Sequence, residues 1–99
     1  MTLIVLEQAE REFSKSAAKY EFKEPGLGVR FRDEVAEVVD WIQEHPEIPR
    51  LRPRGYRRVN LCVFPHYVAY VIRGEILWIV AIAHAHRRPE YWVRRIAKL

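Results

Sequence analysis

The sequence is poor in the features that mark several specialised protein classes. It has a single cysteine, Cys62, so no internal disulfide can form and no cysteine pair exists to hold a metal. A reducing compartment is the expectation. No window approaches the run of about 20 apolar residues that a membrane span needs, and Met1 to Leu6, closed by Glu7, is too short for a signal peptide. A cytoplasmic protein with no membrane attachment is therefore expected. Repeats and low-complexity tracts are absent as well. At 99 residues the chain has room for one domain, residues 1–99, which should bury roughly two-thirds of its unfolded surface.

Acidic residues are nearly missing from the second half. Residues 1–49 carry 6 Lys/Arg against 11 Asp/Glu, whereas residues 50–99 carry 11 against 2, giving −5 and +9. Arginine supplies ten of those eleven positive charges. Such a density attracts phosphate backbones through counterion release, and the guanidinium fork suits phosphates and base faces. The same charge also serves as a solvated basic face or meets an acidic protein partner.

Residue patterning predicts an α+β domain. Thr2 to Leu6 is a short β-branched run and reads as an opening strand. Ala9, Phe13, Ala17 and Tyr20 then recur at helical spacing, until Glu24-Pro25-Gly26-Leu27-Gly28 interrupts them. Phe31, Val35, Val38, Val39 and Ile42 mark the core stripe of a second helix ending near His45-Pro46, so the two form an antiparallel hairpin. Pro49 and Pro53 make Glu47 to Gly55 an extended connection with Arg50, Arg52 and Arg54 on one side. Tyr56 to Phe64, Tyr67 to Arg73 and Glu75 to Ala83 form a three-stranded antiparallel meander. Pro89 opens a short C-terminal helix carrying Trp92, Ile96 and Leu99. The expected architecture is one sheet covered on one face by the helical hairpin.

Candidate chemistry gathers where the last strand leaves the core, at Ile79 to Trp92. His84, His86, Arg87, Arg88, Tyr91 and Trp92 fall within nine residues there. Imidazole exchanges protons near neutral pH, arginine holds phosphate, and tyrosine or tryptophan stacks on a base. Such a set can cut RNA without a metal: a base takes the 2′-hydroxyl proton, arginines clamp the phosphate, and an acid protonates the leaving oxygen. Each residue also has a structural reading. His84 lies near the core, Trp92 and Tyr91 are able to anchor the last helix, His45 to cap a helix end, and His66 sits in a turn. His84 and His86 lack a third ligand at suitable spacing, so neither a metal nor another cofactor is expected. A second basic cluster consists of Arg50, Arg52, Arg54, Arg57 and Arg58, and whether it meets the first is open at this level.

Several of these residues together resemble the RelE/ParE toxin superfamily. They are Ala9-Glu10-Arg11-Glu12-Phe13, Gly26-Leu27-Gly28 with Phe31, His45-Pro46, Tyr56-Arg57-Arg58, Phe64-Pro65-His66-Tyr67, and His84-Ala85-His86-Arg87-Arg88-Pro89-Glu90-Tyr91-Trp92. The resemblance runs in order over nearly the whole chain. It implies a toxin of a type II toxin–antitoxin system, of the plasmid stabilisation kind, bound and silenced by a cognate antitoxin in a hetero-oligomer. RelE-like members cleave messenger RNA on the ribosome without a metal, whereas ParE-like members poison DNA gyrase. The resemblance places Arg57 or Arg58 near a basic position of the RelE-like sheet and Arg87 with Tyr91 or Trp92 near its terminal pair; joined to the strand-end chemistry, this makes His86, Arg87 and Tyr91 the expected catalytic residues, with Arg57, Arg58, Arg87, Arg88 and Trp92 expected to contact nucleic acid. Ribosome-dependent cleavage is the leading expectation. A gyrase inhibitor and an inactive nucleic-acid-binding relative are the alternatives. The sequence departs from the RelE-like pattern at Asn60, where a second sheet lysine is expected, and at Tyr67, where an arginine is expected.

Overall fold

A computed structural model describes residues 1–99. The chain opens with strand β1 (Thr2–Val5), then helices α1 (Glu7–Lys23) and α2 (Leu27–Glu44). Strands β2 (Arg57–Asn60), β3 (His66–Arg73) and β4 (Ile76–His84) follow, and the chain ends in the short helix α3 (Glu90–Val93), continued as a 3-10 turn over Arg94–Lys98. The four strands make one sheet in the order β1-β4-β3-β2, with β1 parallel to β4 and the meander antiparallel. The α+β class, the helical hairpin and the meander are as the sequence predicts.

Helix α2 forms against its own composition. It contains four valines and Gly28, each costing about 0.5–1 kcal/mol of helix propensity relative to alanine. Phe31, Val35 and Ile42 are buried on its inner face, and each such burial contributes roughly 1.5–3 kcal/mol, so tertiary packing wins. The Phe31 ring lies 4.9–5.9 Å from the rings of Phe13, Tyr20, Phe64 and His66, and this aromatic knot joins the hairpin to the sheet. No acid lies in the first turn of α2. Instead the Glu21 carboxylate reaches across from α1 and accepts hydrogen bonds from the backbone amides of Gly26 (2.8 Å) and Gly28 (3.0 Å).

Strand β2 is shorter than its composition predicts, because past Asn60 the backbone leaves the ladder. The amides of Cys62, Val63 and Phe64 point at the Glu34 carboxylate on α2, which accepts from all three at 2.8–3.2 Å. The expected extended run from Glu47 to Gly55 is instead a turn. Arg54 and Gly55 take φ of 75° and 81°, Gly55 N donates to Arg52 O at 2.9 Å, and Arg52 N donates to Tyr56 O at 2.8 Å. The alternation that placed Arg50, Arg52 and Arg54 on one side therefore does not apply.

Both faces of the sheet are covered. Leu77, Ile79, Ile82, Val68 and Tyr70 face the hairpin, while Tyr67, Ala69, Val71, Val80, Ala81 and Ala83 face the C-terminal segment, whose Trp92 and Ile96 are buried on them. This second layer depends on a β-bulge. Ala69 pairs with Ala81 but Tyr70 pairs with Ile79, so Val80 is an extra residue on β4 and the in–out alternation inverts there. Val80 and Ala81 consequently both face the C-terminal segment.

Gly28 marks the closest approach of the two helices. A Cβ there would sit 2.5 Å from the Ala17 carbonyl oxygen and 2.9 Å from Glu21 Cβ. Gly28→Ala is expected to force the helices apart and lower unfolding free energy by about 1–3 kcal/mol, read from the urea midpoint. A midpoint equal to or above that of the unsubstituted protein would contradict this packing.

Candidate functional site

Strand β4 outruns its parallel neighbour: the β1 pairing stops at Val5–Ile79, whereas β4 continues to His84. Edge groups beyond β1 are satisfied by side chains. Ile82 N donates to Glu12 Oε1 at 3.1 Å, and Arg95 Nη1 donates to the Val80 carbonyl at 3.0 Å. Arg95 also grips the Glu12 carboxylate through both terminal nitrogens, at 3.2 and 2.8 Å, with side chains only 14% and 18% exposed. The result is a lock between α1, the edge of β4 and the C-terminal turn.

Above that lock opens a cleft of about 650 Å³. Helix α1 forms one wall with Lys15, Lys19, Phe22 and Lys23, the strand ends form the floor with His66 and His84, and Arg87 and Tyr91 form the other wall. The three lysines recur every fourth residue, so they stand on successive helical turns about 6 Å apart. Neither they nor Arg87 form an ion pair, and the one carboxylate in the cleft, that of Glu12, is already held by Arg95. The cleft is a cationic groove with aromatic rings at its mouth.

Position and burial fix what each ring can do. Arg87 stacks its guanidinium 3.9 Å from the centre of the Tyr91 ring, and Arg95 lies 5.6 Å from the same ring. Burial, assisted by the Glu12 charge and offset in part by Arg87, pushes the Tyr91 phenol up to about 12, so it is a proton donor and not a base near neutral pH. His66 is 5% exposed, with Nε2 2.9 Å from the Tyr20 hydroxyl and Nδ1 buried without a partner. Burial first, and the neighbouring His84 second, push its imidazole down to about 4. His84 accepts from the His86 backbone amide at Nδ1 (3.1 Å), which leaves its proton on Nε2.

The sequence-selected residues divide accordingly. Arg87 and Tyr91 come together in the cleft. His86 is exposed and does not line it, and Arg88 lies in a separate shallow hollow beside Glu90 and Arg94. Trp92, expected to contact nucleic acid, is fully buried. Its Nε1 donates to the Tyr67 hydroxyl at 2.8 Å and its ring meets Tyr56 edge-on, so neither face is free to stack on a base. Arg57 and Arg58 pair with Tyr70 and Ala69 across β2–β3, which sends their side chains to opposite faces of the sheet. Arg57 Nε donates to the Pro49 carbonyl at 2.9 Å, and Arg58 lies 4.4 Å from the centre of the Tyr67 ring with its Nε buried. They do not form one basic platform. The α1 lysines escaped the sequence reading because they sit in the acidic half, where net charge hides a local row. Their i, i+4, i+8 spacing on the flank beside the Ala9–Phe13–Ala17 stripe, the flank that also carries Glu12, is the signal that reveals them.

Residues 3–89 match the model of a protein family described as the ParE toxin of the type II toxin–antitoxin system parDE. The chain belongs to the ParE toxin family. A solved structure described as the chromosomal ParDE TA system from P. aeruginosa superposes with a TM-score of 0.77 at 19% identity, covering 87% of this chain and 97% of that one, a likeness of fold. No curated protein sequence matches the chain. Within the ParE match fall the lysine wall, both floor histidines and Arg87, whereas Tyr91, Trp92 and Arg95 lie beyond it.

The depressed His66 imidazole ties stability to pH. In the unfolded chain this group takes its proton near 6.5, whereas the folded ParE domain resists until about pH 4. Its contribution is fully present above pH 6.5 and is lost as pH falls through that window, by roughly 2–3 kcal/mol. Urea unfolding of the unsubstituted protein and of His66→Gln at pH 7 and pH 4 is expected to show a smaller acid loss in the variant by that amount. Equal losses would remove His66 as the cause.

Proposed function

We propose that the chain is the growth-inhibiting toxin of a type II toxin–antitoxin pair, held silent by a cognate antitoxin, and that it acts by binding DNA gyrase rather than by cutting messenger RNA on the ribosome. Membership of the ParE family supports the first part. The second rests on one observation: several of the groups that the sequence offers for RNA cleavage are tied up in the fold or stand outside the cleft, and no base faces Arg87 and Tyr91 with the geometry the reaction needs. Trp92 is in the core, Arg58 is stacked on Tyr67, and the Tyr91 phenol has too high a proton affinity to serve as a base. His86 lies outside the cleft, and Asn60 and Tyr67 stand where a RelE-like sheet would carry cations.

Binding needs accessible charge and shape, and the molecule has both. Arg87, Arg88 and Arg94 are exposed on one corner next to the cationic cleft, and none of the three forms an ion pair. Such a surface suits an acidic protein patch or the DNA that gyrase carries.

On induction in bacteria, thymidine incorporation is expected to stop before methionine incorporation, and the purified protein is expected to inhibit gyrase supercoiling. His84→Ala and His86→Ala should leave the arrest intact, while Arg87→Ala should weaken it about tenfold, the effect of about 1.4 kcal/mol of lost binding. Translation stopping first, with cleaved messenger RNA and loss of activity in His84→Ala, would establish cleavage in place of gyrase binding.

A further inference from the structure

We propose that the cleft between α1 and the C-terminal segment is a binding groove for a single strand of DNA, in which Lys15, Lys19, Lys23 and Arg87 track the phosphodiester backbone and Phe22 stacks on a base. This site goes beyond gyrase binding as such, and rests on that reading only for the choice of DNA over RNA.

The charge pattern is the first ground. Four cations line the cleft and none has a carboxylate partner within the structure, because Glu12 is already taken by Arg95. Lys15 and Lys23 stand two helical turns apart, about 12 Å along the α1 axis, with Lys19 between them. A linear row of equally spaced ammonium groups fits a linear polyanion better than a compact one. Lysine presents a point charge without sequence preference, which suits a backbone rather than a base edge.

The aromatic placement is the second. Phe22 is 95% exposed beside Lys19 and Lys23, although an isolated phenylalanine on α1 gains nothing from water contact. Across the cleft, Tyr91 already carries the Arg87 guanidinium on its face. That leaves Phe22 as the ring open to a base, and cations that follow a backbone beside a ring that accepts any base are the common design of sequence-tolerant single-strand sites. At about 650 Å³ the cleft takes a strand a few nucleotides long, and a duplex, whose bases are stacked and paired inside it, offers no free base face to Phe22.

An acidic peptide is the competing occupant, and the edge of β4 disfavours it. Ile82 N and Val80 O, the backbone groups a peptide would need for adding a strand there, are capped by Glu12 and Arg95. What remains in the cleft is side-chain charge and ring surface.

The test uses the purified full chain and a fluorescent eight-nucleotide mixed-sequence single-stranded DNA, followed by anisotropy from 50 to 300 mM salt. Single-strand binding through four phosphates gives a slope of log K against log salt of roughly −3, since each neutralised phosphate contributes about −0.7. Lys19→Gln and Lys23→Gln are each expected to make that slope shallower by about 0.7, and Phe22→Ala to weaken binding about tenfold with the slope unchanged. Arg50→Gln, on a solvent-exposed position away from the cleft, controls for general basic charge and should leave the affinity unchanged. Circular dichroism confirms that every variant is folded. The proposal is overturned by the absence of binding, by slopes that the lysine variants do not alter, or by an equal loss with Arg50→Gln. Duplex DNA binding as tightly as the single strand, RNA of the same sequence binding tenfold tighter, or polyglutamate displacing the strand at equal charge concentration would overturn it too. Because gyrase is absent from this measurement, a failure here is separate from failure of the gyrase reading, which shows in the incorporation order.

Discussion

The site depends on the Glu12–Arg95 pair. These residues are 83 positions apart and meet at 2.8 Å, with both side chains largely out of water. Neither is placed there for its own sake. β4 extends past β1, so its outer edge needs partners, and Glu12 takes Ile82 N while Arg95 takes Val80 O. With edge groups and ion pair satisfied together, the arrangement avoids the desolvation penalty that makes isolated buried charges unfavourable. It also sets the separation of the two cleft walls, since α1 carries the lysines and the C-terminal segment carries Tyr91.

The β-bulge at Val80 works in the same direction. By inverting the alternation of β4, it gives the second face of the sheet a continuous apolar surface of Val80, Ala81 and Ala83, on which Trp92 and Ile96 settle. Burying a tryptophan of this kind is worth several kcal/mol, far more than a ten-residue terminal segment gains from helix propensity. Packing therefore holds the last turn where Arg95 reaches Glu12. Structural use of Trp92 and functional availability of Arg87 are two results of one placement. The segment turns its apolar side to the sheet and Arg95 to Glu12, and leaves the guanidiniums of Arg87, Arg88 and Arg94 in water.

Much of this was legible in the sequence, because it follows from periodicity. The two helical stripes, the interruption at Gly26, the β-rich second half and the polar strand end at His84 all have local signatures. Arg87 and Tyr91 were selected for that reason, and the structure brings the two together in the cleft. Features set by distant residues were not legible. Nothing near Trp92 announces that Tyr67 and Tyr56 will enclose it, and the short β2 follows from Glu34, 28 residues before Cys62. Arg57 and Arg58 are adjacent in sequence and on that account alone looked like one patch, but a strand sends neighbours to opposite faces. The lysine row of α1 was masked by averaging charge over half the chain.

The most direct test of the lock is a double-mutant cycle on Glu12→Gln and Arg95→Gln, with unfolding free energies from urea titration at pH 7. Because the two groups share one hydrogen-bonded pair and both cap β4, the expected coupling is about 1–3 kcal/mol, with each single variant more damaging than its share of the double. A coupling indistinguishable from zero would mean that the pair does not hold α1 to the C-terminal segment, and that the cleft walls are set by something else.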